Sequence, residues 1–442
     1  MLKRRQSLSG PVVSCGSISG YIDRTKGLVD NWTQITVNSL TVKGFVVINY
    51  RNQFPQAVHA IVEGIKLGKI KVTEGYTIED LSNDPNTLLK VPRVWNKLFT
   101  NEKPNGEPNS TFKLETVKID QLSIKDGFIL VKVLYLSNDP TQRVWIQKGL
   151  DASRMYVPPV KEGEPMRSLA VGKVIESKSD KYSKGDLVSG ALHWSDYAIV
   201  HEQAIWNKVD TSSGLPIPTF MSSLGMTGLT AYFGLTEVGQ FKEGQTIIVS
   251  AASGATGSMV VQIAKHLLKA GKVIGITGSK EKGKYVESLG ADFTVDYHDE
   301  DWKQQLSDYI GNDYVDAYYD NVGGDMLSFV LKKIKSFGVV IACGSIAGYN
   351  DSSKNAVTSW SEIIVNRLRV QGFIVSDFKD KFPQAIGAIV QGVKSGSIKA
   401  TEGYNVNDLS DGLQLEKIPE IWYQLFASNK PNGKLLTKLA DE

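Results

Sequence analysis

The stretch from Gln245 to Lys282 reads QTIIVSAASGATGSMVVQIAKHLLKAGKVIGITGSKEK. An apolar β-branched run is followed by a turn of small residues, an amphipathic helix expected over Ser258 to Lys269, and a second strand. This order is typical of one βαβ unit. The turn Ala251-x-x-Gly254-x-x-Gly257 lacks bulky side chains, so backbone N–H groups at the helix N-terminus can approach a pyrophosphate. The pattern predicts a dinucleotide site, and a merely tight structural turn is the alternative.

The end of the second strand indicates which dinucleotide is bound. An NAD site places Asp or Glu there against the ribose 2′-hydroxyl, whereas this chain reads Gly278-Ser279-Lys280-Glu281-Lys282. With no acid at the strand tip, lysine and serine groups would attract a 2′-phosphate. NADP(H) is therefore favoured, and the alternative is that Lys280 and Lys282 only begin a solvated helix.

Two further runs extend the strand–turn–helix alternation. VDAYYDNVGG, from Val315 to Gly324, and FGVVIACGSIAGY, from Phe337 to Tyr349, each read as a buried strand that ends in a turn. The alternation predicts a doubly wound parallel sheet in an α/β fold.

Composition excludes several classes of protein. The 442 residues are 41% hydrophobic and 22% charged, as in globular domains rather than disordered chains. At roughly 150 residues per domain, two or three units are expected. Fifty Lys and Arg against 47 Asp and Glu leave a net charge of +3, which argues against a nucleic-acid partner.

Cysteine and histidine usage argues against disulfides and metal. Two cysteines, Cys15 and Cys343, cannot form a disulfide framework. No metal-ligand spacing occurs among four of the five histidines, His193, His201, His266 and His298. The basic start MLKRRQSLSG is not followed by an apolar segment, and no uncharged stretch reaches membrane-spanning length. We expect a soluble, cytoplasmic protein with no metal and no membrane partner.

An internal repeat sets the organisation of the chain. Residues 12 to 106 reappear near residues 340 to 433, with CGSISGY at Cys15 matching CGSIAGY at Cys343 at an offset of 328 residues. The offset slips by one residue before Pro92. Copies separated by unrelated sequence are not a solenoid, whose repeats stack on their neighbours. The pattern indicates a displaced duplication.

Both copies pass through KPNG, at Lys103 to Gly106 and at Lys430 to Gly433, and diverge afterwards. Our hypothesis is that this tetrapeptide marks a fusion joint. Residues 1 to about 103 would then be the tail of a neighbouring, similar gene, joined to a complete protein that starts near Lys103.

Six motifs carry a resemblance to a known family: LYLSNDPTQR at 134–143, GDLVSG at 185–190, GMTGLTAYFGL at 225–235, AASGATG at 251–257, YYDNVGG at 318–324 and CGSIAGYN at 343–350. Over about residues 104 to 442 the chain resembles the zinc-independent medium-chain dehydrogenase/reductases of the leukotriene B4 dehydrogenase, prostaglandin reductase and 2-alkenal double-bond reductase branch. The resemblance implies a GroES-like β-rich catalytic domain plus a Rossmann domain, with NADPH between them. It also implies dimers joined through the edge strands of the Rossmann sheets.

The expected domains follow from the repeat and the resemblance together. They are a partial duplicate of residues 340–433 at 1–103, the first part of the GroES-like catalytic domain at 104–230, the Rossmann domain at 231–375 and the C-terminal return to the catalytic domain at 376–442.

The resemblance also implies site residues. The family's cofactor contacts fall on Gly254, Ala255, Thr256, Gly257, Lys282, Tyr297, Asn321, Cys343 and the loop that follows it to Tyr349, Phe373, Ile374 and Val375, while a further asparagine is either Asn429 or Asn432. In the family reaction a hydride goes to the β-carbon of a small lipophilic enal or enone. Tyr349 is expected to stabilise the resulting enolate together with a ribose hydroxyl. The alternative for Tyr349 is a buried tyrosine that satisfies a backbone group.

Two positions depart from the family where substrate is expected. The usual tyrosine and methionine after the Asp-Pro turn are Thr141 and Gln142, so we expect an aromatic wall of the pocket to be missing. Cys343 is expected to be a small buried thiol, with a nucleophile as the alternative.

The N-terminal duplicate retains Tyr21, the counterpart of Tyr349, but has no small-residue turn, so it cannot bind a dinucleotide alone. Its segment Leu40 to Ile48 matches Leu368 to Ser376, the edge strand that the resemblance assigns to dimerisation. Because an edge strand pairs with a similar strand, the duplicate is expected either to dock on that edge as a mimic of half a partner subunit or to remain a loosely held appendage. Displacement of the native C-terminal segment is a third and less favoured alternative.

Three functions remain in competition. The leading one is NADPH-dependent reduction of the carbon–carbon double bond in small enals and enones. The alternatives are a quinone reductase on the same scaffold, and an NADPH-binding protein with little turnover.

Overall fold

The strands form three sheets within the residues that the computed structural model describes, which are 11–14, 41–44, 88–94, 111–118, 124–147, 149, 151–427 and 430–442. The strands are β1 Pro11–Ser14, β2 Thr41–Gly44, β3 Leu88–Val94, β4 Phe112–Lys118, β5 Phe128–Asn138, β6 Arg167–Ser177, β7 Leu187–His193, β8 Tyr197–His201, β9 Ile205–Lys208, β10 Thr246–Ser250, β11 Lys272–Thr277, β12 Phe293–Asp296, β13 Val315–Asp320, β14 Ile334–Ala342, β15 Arg369–Gly372, β16 Tyr404–Asp408 and β17 Lys434–Lys438.

The α-helices connect and cover these strands. They are α1 Gln142–Trp145, α2 Ile217–Met221, α3 Met226–Phe233, α4 Ala255–Gln262, α5 Lys280–Ser288, α6 Trp302–Ile310, α7 Gly324–Val330, α8 Trp360–Val365, α9 Phe382–Lys394 and α10 Ile418–Tyr423.

A parallel sheet with helices on both faces confirms the expected α/β class. The strand order is β1-β2-β15-β14-β13-β10-β11-β12, and the strands from β15 to β12 are all parallel. Along β10, Ile247 and Val249 pack in one core cluster with Met259 of α4, whereas Ile248 packs in another with Leu327 of α7. Burial on both faces explains why this strand is continuously apolar.

The sheet has its switch point beside the small-residue turn. β10 and β13 are neighbours in the sheet, and the connection after β10 runs to β11 on one side whereas the connection after β13 runs to β14 on the other. A crevice at this point is where open α/β sheets bind ligands. Helix α4 begins at Ala255, three residues earlier than expected, because the carbonyl group of Gly254 already accepts from the N–H of Ser258 at 2.9 Å. Beyond Gln262 the helix widens into a π-helical turn over Ile263–Leu267.

A second sheet forms the β-rich domain. Its order is β16-β17-β5-β6-β7-β9, with β8 paired to β5. Trp194 and Trp422 are fully buried in its core, with ring centroids 5.9 Å apart. Because β16 and β17 come from the C-terminal end of the chain, the chain leaves this domain, forms the parallel sheet and returns.

The returning strand is fixed by a buried ion pair. The side chain of Lys434 is 3% exposed, and its ammonium group forms a salt bridge with Asp139 in the Asp-Pro turn after β5. The side-chain amide of Asn138 donates to the hydroxyl of Thr437 at 2.9 Å. These contacts hold the turn that bears Thr141 against the C-terminal strand.

Part of the duplicate adopts a different structure from its counterpart. β3 is an antiparallel partner of β4, yet the matching residues in the second copy begin helix α10. The second copy of this segment is anchored in the β-rich domain, where Trp422 Nε1 donates to the carbonyl group of Asp139 at 3.0 Å. Tyr21 and the hypothetical joint at Lys103 lie outside the described residues.

Replacing Lys434 with Ala is expected to destabilise the fold by about 3 kcal/mol, because it leaves the Asp139 carboxylate poorly solvated and without its cation. Denaturant unfolding followed by tryptophan fluorescence measures this. The matched control is Lys438→Ala on the same strand, whose partners Asp408 and Asp441 are exposed. Equal shifts of the unfolding midpoint for both variants would contradict the special contribution of the buried ion pair between Lys434 and Asp139.

Candidate active site

The expected cofactor residues lie together at one edge of the parallel sheet. Because parallel strands all end on the same side, the residues that follow each strand meet there. One expected residue or group follows each of six strands, namely Gly254 after β10, Lys282 after β11, Tyr297 after β12, Asn321 after β13, Cys343 after β14 and Phe373 after β15.

The turn after β10 brings backbone unusually close to backbone. Ala251 has a φ of +47°, and the N–H of Gly254 donates to the carbonyl group of Ala251 at 2.9 Å. A Cβ atom at Gly257 would lie 2.2 Å from that same carbonyl oxygen. Glycine at 257 is therefore required for α4 to start against the turn.

The N-terminus of α4 is left open toward the crevice. Gly254, at the N-cap, makes no side-chain cap hydrogen bond, and the first turn contains no acidic residue. The positive end of the helix dipole is thus not neutralised by a side chain of the helix itself, which suits an anionic group. Ala255, Thr256 and Gly257 form this first turn, so three of the expected contacts lie side by side.

The segment from Lys430 to Gly433 covers this turn. The N–H of Gly433 donates to the carbonyl group of Ser253 at 2.7 Å, and Gly433 forms an isolated β-bridge with Gly254. The Oδ1 atom of Asn432 is buried and has no hydrogen-bond partner. Asn432 therefore lies next to the turn, and its side-chain oxygen is free to accept a hydrogen bond. Asn429 lies outside the described residues.

Lys282 and Tyr297 flank the end of β11. The Ser279 side chain caps α5 by accepting from the N–H of Lys282 at 3.2 Å. The hydroxyl of Tyr297 would be 3.2 Å from a Cβ atom at Gly278, so the tyrosine ring lies over that loop. Burial lowers the pKa of the Lys282 ammonium group.

Lys280 has a different environment from Lys282. Its side chain is 75% exposed, and its ammonium group is 3.8 Å from Asp299. The alternative that these lysines only begin a solvated helix therefore fits Lys280 and does not fit Lys282.

Lys430 is a second cation at this place, and sequence reasoning missed it. Burial lowers the pKa of its ammonium group, and the charge of Lys282 lowers it further. Two desolvated cations that repel each other favour an anion as neighbour. Sequence analysis assigned Lys430 only to the joint motif, and no local pattern links Lys430 with Lys282.

Asn321 is held by the end of the neighbouring strand. Its side-chain amide donates to the carbonyl group of Ser250 at 2.7 Å, and its backbone N–H donates to the Ser250 hydroxyl at 2.9 Å. The preceding Asp320 is fully buried. Its carboxyl group accepts from four donors, which are the Tyr318 hydroxyl, the Ser250 hydroxyl and the N–H groups of Val322 and Gly323.

Cys343 begins the loop that leads to Tyr349. Its N–H donates to the carbonyl group of Asp320 at 2.9 Å, and burial raises the pKa of its thiol to about 12. The thiol is therefore protonated at neutral pH. This environment suits a packed thiol and disfavours a nucleophile.

Tyr349 lies where the parallel sheet meets the β-rich domain. It follows a short 3₁₀ helix, Ile346–Gly348, at the end of β14, and its side chain packs against the core of the β-rich domain. Burial is the largest cause that raises the pKa of its phenol, and the nearby Tyr156 raises it further. The phenol is consequently a hydrogen-bond donor throughout the neutral range.

Phe373, Ile374 and Val375 follow the edge strand of the parallel set. Phe373 is 4% exposed and packs in the core cluster beneath α4. The N–H of Ile374 donates to the carboxylate of Asp377 at 3.4 Å, and Val375 packs against the cluster that contains Phe233. Phe373 thus packs in the core that holds helix α4 in place.

An aromatic residue, Tyr156, lies beside Thr141, the position where the family's tyrosine is absent. Thr141 does not leave a gap, because its hydroxyl is 2.6 Å from the hydroxyl of Tyr156, which also accepts from Trp145 Nε1 at 3.0 Å. Gln142 is fully buried and donates to the carbonyl group of Arg167 at 3.1 Å, so it has a structural role. Sequence reasoning missed Tyr156 because it considered only the positions next to the Asp-Pro turn.

Across the described residues, no group of three or more His, Cys, Asp or Glu side chains is arranged to hold a metal ion. Within the same residues, no helix is long and apolar enough to cross a membrane.

Two family models match the chain. One is described as the N-terminal domain of oxidoreductase and covers residues 97–208, and the other as zinc-binding dehydrogenase, covering residues 255–391. Among curated proteins, an uncharacterized membrane protein of Saccharomyces cerevisiae is 36% identical over 76% of this chain and 93% of its own length. A 2-alkenal reductase (NADP(+)-dependent) of Nicotiana tabacum is 35% identical over 75% and 94%. Prostaglandin reductase 1 of Mus musculus is 34% identical over 67% and 88%.

Two solved structures have the same fold as this chain. CurA from Vibrio vulnificus in complex with NADPH is 27% identical, with a TM-score of 0.68 over 80% of this chain and 99% of that chain. An Escherichia coli quinone oxidoreductase has the same fold, with a TM-score of 0.58 over 79% and 99% at 19% identity. The chain belongs to the zinc-independent branch of the medium-chain dehydrogenase/reductase family that includes 2-alkenal and prostaglandin reductases.

The Cys343 thiol is expected to resist alkylation at pH 8. With a pKa of about 12, a fraction on the order of 10⁻⁴ is thiolate, whereas an unfolded thiol near pKa 8.5 is about one quarter ionised. In a Cys15→Ser variant, iodoacetamide labelling followed by mass spectrometry is expected to be about 10³-fold slower in the native than in the denatured protein. Native labelling at the denatured rate would contradict the protonated state.

Proposed function

We propose that this protein is an NADPH-dependent reductase of the carbon–carbon double bond in α,β-unsaturated aldehydes and ketones. The observation that carries the proposal is the position of Tyr349. A partly buried phenol with a raised pKa stands at the meeting point of the dinucleotide edge and the β-rich core. This is where a hydrogen-bond donor to a substrate carbonyl oxygen is needed.

The residues at the sheet edge fit a phosphorylated dinucleotide. The open N-terminus of α4 suits the pyrophosphate. Lys282 and Lys430, two partly desolvated cations, suit the 2′-phosphate that distinguishes NADPH from NADH. When bound, NADPH supplies the hydride.

The contribution of the chain to the reaction is electrostatic. Tyr349 donates a hydrogen bond to the carbonyl oxygen of the substrate, where negative charge develops as an enolate forms. Its raised pKa keeps the proton on the phenol, so Tyr349 stabilises the enolate through a hydrogen bond and does not give up its proton. The α-carbon takes its proton from solvent.

The side of the site that faces the β-rich domain favours a small lipophilic substrate. The hydroxyl of Tyr156 is engaged with Thr141 and Trp145, and Tyr156 lies near enough to raise the pKa of Tyr349, so the neighbour of Tyr349 on this side is an aromatic surface. A hydrophobic aldehyde or ketone gains from such a surface, whereas a charged substrate does not.

Oxidation of NADPH by the full-length protein in the presence of a medium-chain 2-alkenal tests the proposal. A quinone in a parallel assay tests the alternative activity. Turnover of the alkenal with formation of the saturated aldehyde supports the proposal. Turnover of the quinone alone would replace it with quinone reduction, and saturable NADPH binding with no oxidation of either would indicate a binding protein.

Lys282→Ala and Lys430→Ala are each expected to raise the Kd for NADPH about tenfold or more and to leave the Kd for NADH unchanged. The reason is that a hydrogen bond to a charged group contributes roughly 1.5–3 kcal/mol. Fluorescence titration with both nucleotides measures this. Lys280→Ala is the matched control, since Lys280 is exposed, and it should bind like the parent protein. Equal losses for NADPH and NADH would refute the 2′-phosphate assignment.

Tyr349→Phe is expected to lower kcat for the alkenal about 10²-fold with little change in the Kd for NADPH, because it removes one donor to the developing enolate. In the parent protein the pKa of Tyr349 lies above its ordinary value of 10.0. The phenol therefore stays protonated, and kcat should not fall on its account between pH 7 and pH 10. Steady-state kinetics over that range are the measurement, and unchanged kcat in the variant would remove Tyr349 from the mechanism.

A further inference from the structure

We propose that residues 41–44 stand in for a second subunit at the edge of the parallel sheet, so that the full-length protein is a monomer with a built-in half partner. The proposal concerns assembly and does not depend on the substrate. It rests on the register of β1, β2, β14 and β15.

The edge in question needs a partner. Without β2, strand β15 would be the last strand of the parallel set, and one row of its N–H and C=O groups would be unpaired. Val370 at its centre is fully buried. In the structure, β2 lies antiparallel to β15 and occupies that row.

The pairing of β2 with β15 is symmetric in sequence. Val42 lies opposite Val370, and the repeat offset of 328 residues makes these two valines counterparts. On either side, Lys43 lies opposite Arg369 and Thr41 lies opposite Gln371. Each strand therefore meets its own copy about a local two-fold axis, which is the arrangement of an isologous contact between two identical subunits.

The next strand outward repeats the pattern. β1 pairs in parallel with β2, with Val12 opposite Val42. In the second copy, β14 pairs in parallel with β15, with Val340 opposite Val370. Because the same offset relates both pairs, the order β14-β15-β2-β1 contains two copies of one two-stranded unit, related by the local axis.

The free edge created in this way is poorly suited to further pairing. The outermost strand is now β1, which has four residues and begins with Pro11. A short strand with proline is a common way to end a sheet, since proline offers no N–H donor. A second chain is thus excluded from β15 and finds little to pair with at β1.

The mass in solution is the first test. Light scattering coupled to size exclusion is expected to give 48.5 kDa over a wide range of protein concentrations. A mass of 97 kDa, twice 48.5 kDa, would overturn the proposal.

A proline substitution tests whether the edge is self-complementary. β2 is paired on both sides, so Val42→Pro removes a ladder donor and should release the duplicate from β15. The variant is expected to dimerise with rising concentration, whereas Val42→Thr, which keeps β-branching and the N–H, should stay monomeric. A Val42→Pro variant that binds NADPH normally yet remains monomeric at the highest concentration would overturn the self-complementarity.

A disulfide tests the pairing itself and does not depend on the proline variant. Directly opposite residues in antiparallel strands have Cα atoms roughly 4.5–5.5 Å apart, within the range that a disulfide spans. Combining Val42→Cys with Val370→Cys should give a bond within one chain on mild oxidation, identified by peptide mapping, and Val42→Cys alone should not. A bond between two chains, or no bond, would overturn the proposal.

Discussion

The hydrogen bonds accepted by the buried carboxyl group of Asp320 hold the loops of the site in place. Its four hydrogen-bond donors come from the end of β10, from β13 itself and from the turn that follows. Its main-chain oxygen accepts the N–H groups of Cys343 and Gly344. One residue thus ties together three strand ends, and the positions of Asn321 and of the Tyr349 loop follow from it.

Features that depend on neighbours in sequence could be predicted. The apolar run of β10, the turn at Gly254 and the helix after it follow from local composition, and the α/β class followed from their alternation. The start of α4 was expected three residues too late, because the residues of the turn also form the first helical turn. Small residues in this turn were expected for the approach of a pyrophosphate, whereas the structure shows that glycine at 257 is required by the chain itself, since a Cβ atom there would lie 2.2 Å from the Ala251 carbonyl oxygen.

Features that depend on contacts between distant segments could not be predicted. Lys430 approaches Lys282 because the C-terminal segment folds onto the α4 turn. Tyr156 lies beside Thr141 through a hydrogen bond between the two hydroxyl groups. β3 is extended and pairs with β4, although the matching residues of the second copy begin helix α10, which packs in the core of the β-rich domain. The two copies have similar local sequences, so the tertiary contacts of each copy decide whether it forms a strand or a helix.

The order of the two copies along the chain has a consequence for biosynthesis. β2 is synthesised 328 residues before the corresponding residues of β15, and chains elongate from the N-terminus at roughly 5–20 residues per second. For at least tens of seconds the early copy has no edge to bind. During that time the edge of β2 that later meets β15 has no partner strand, so the nascent chain carries an exposed strand edge of the kind that favours aggregation.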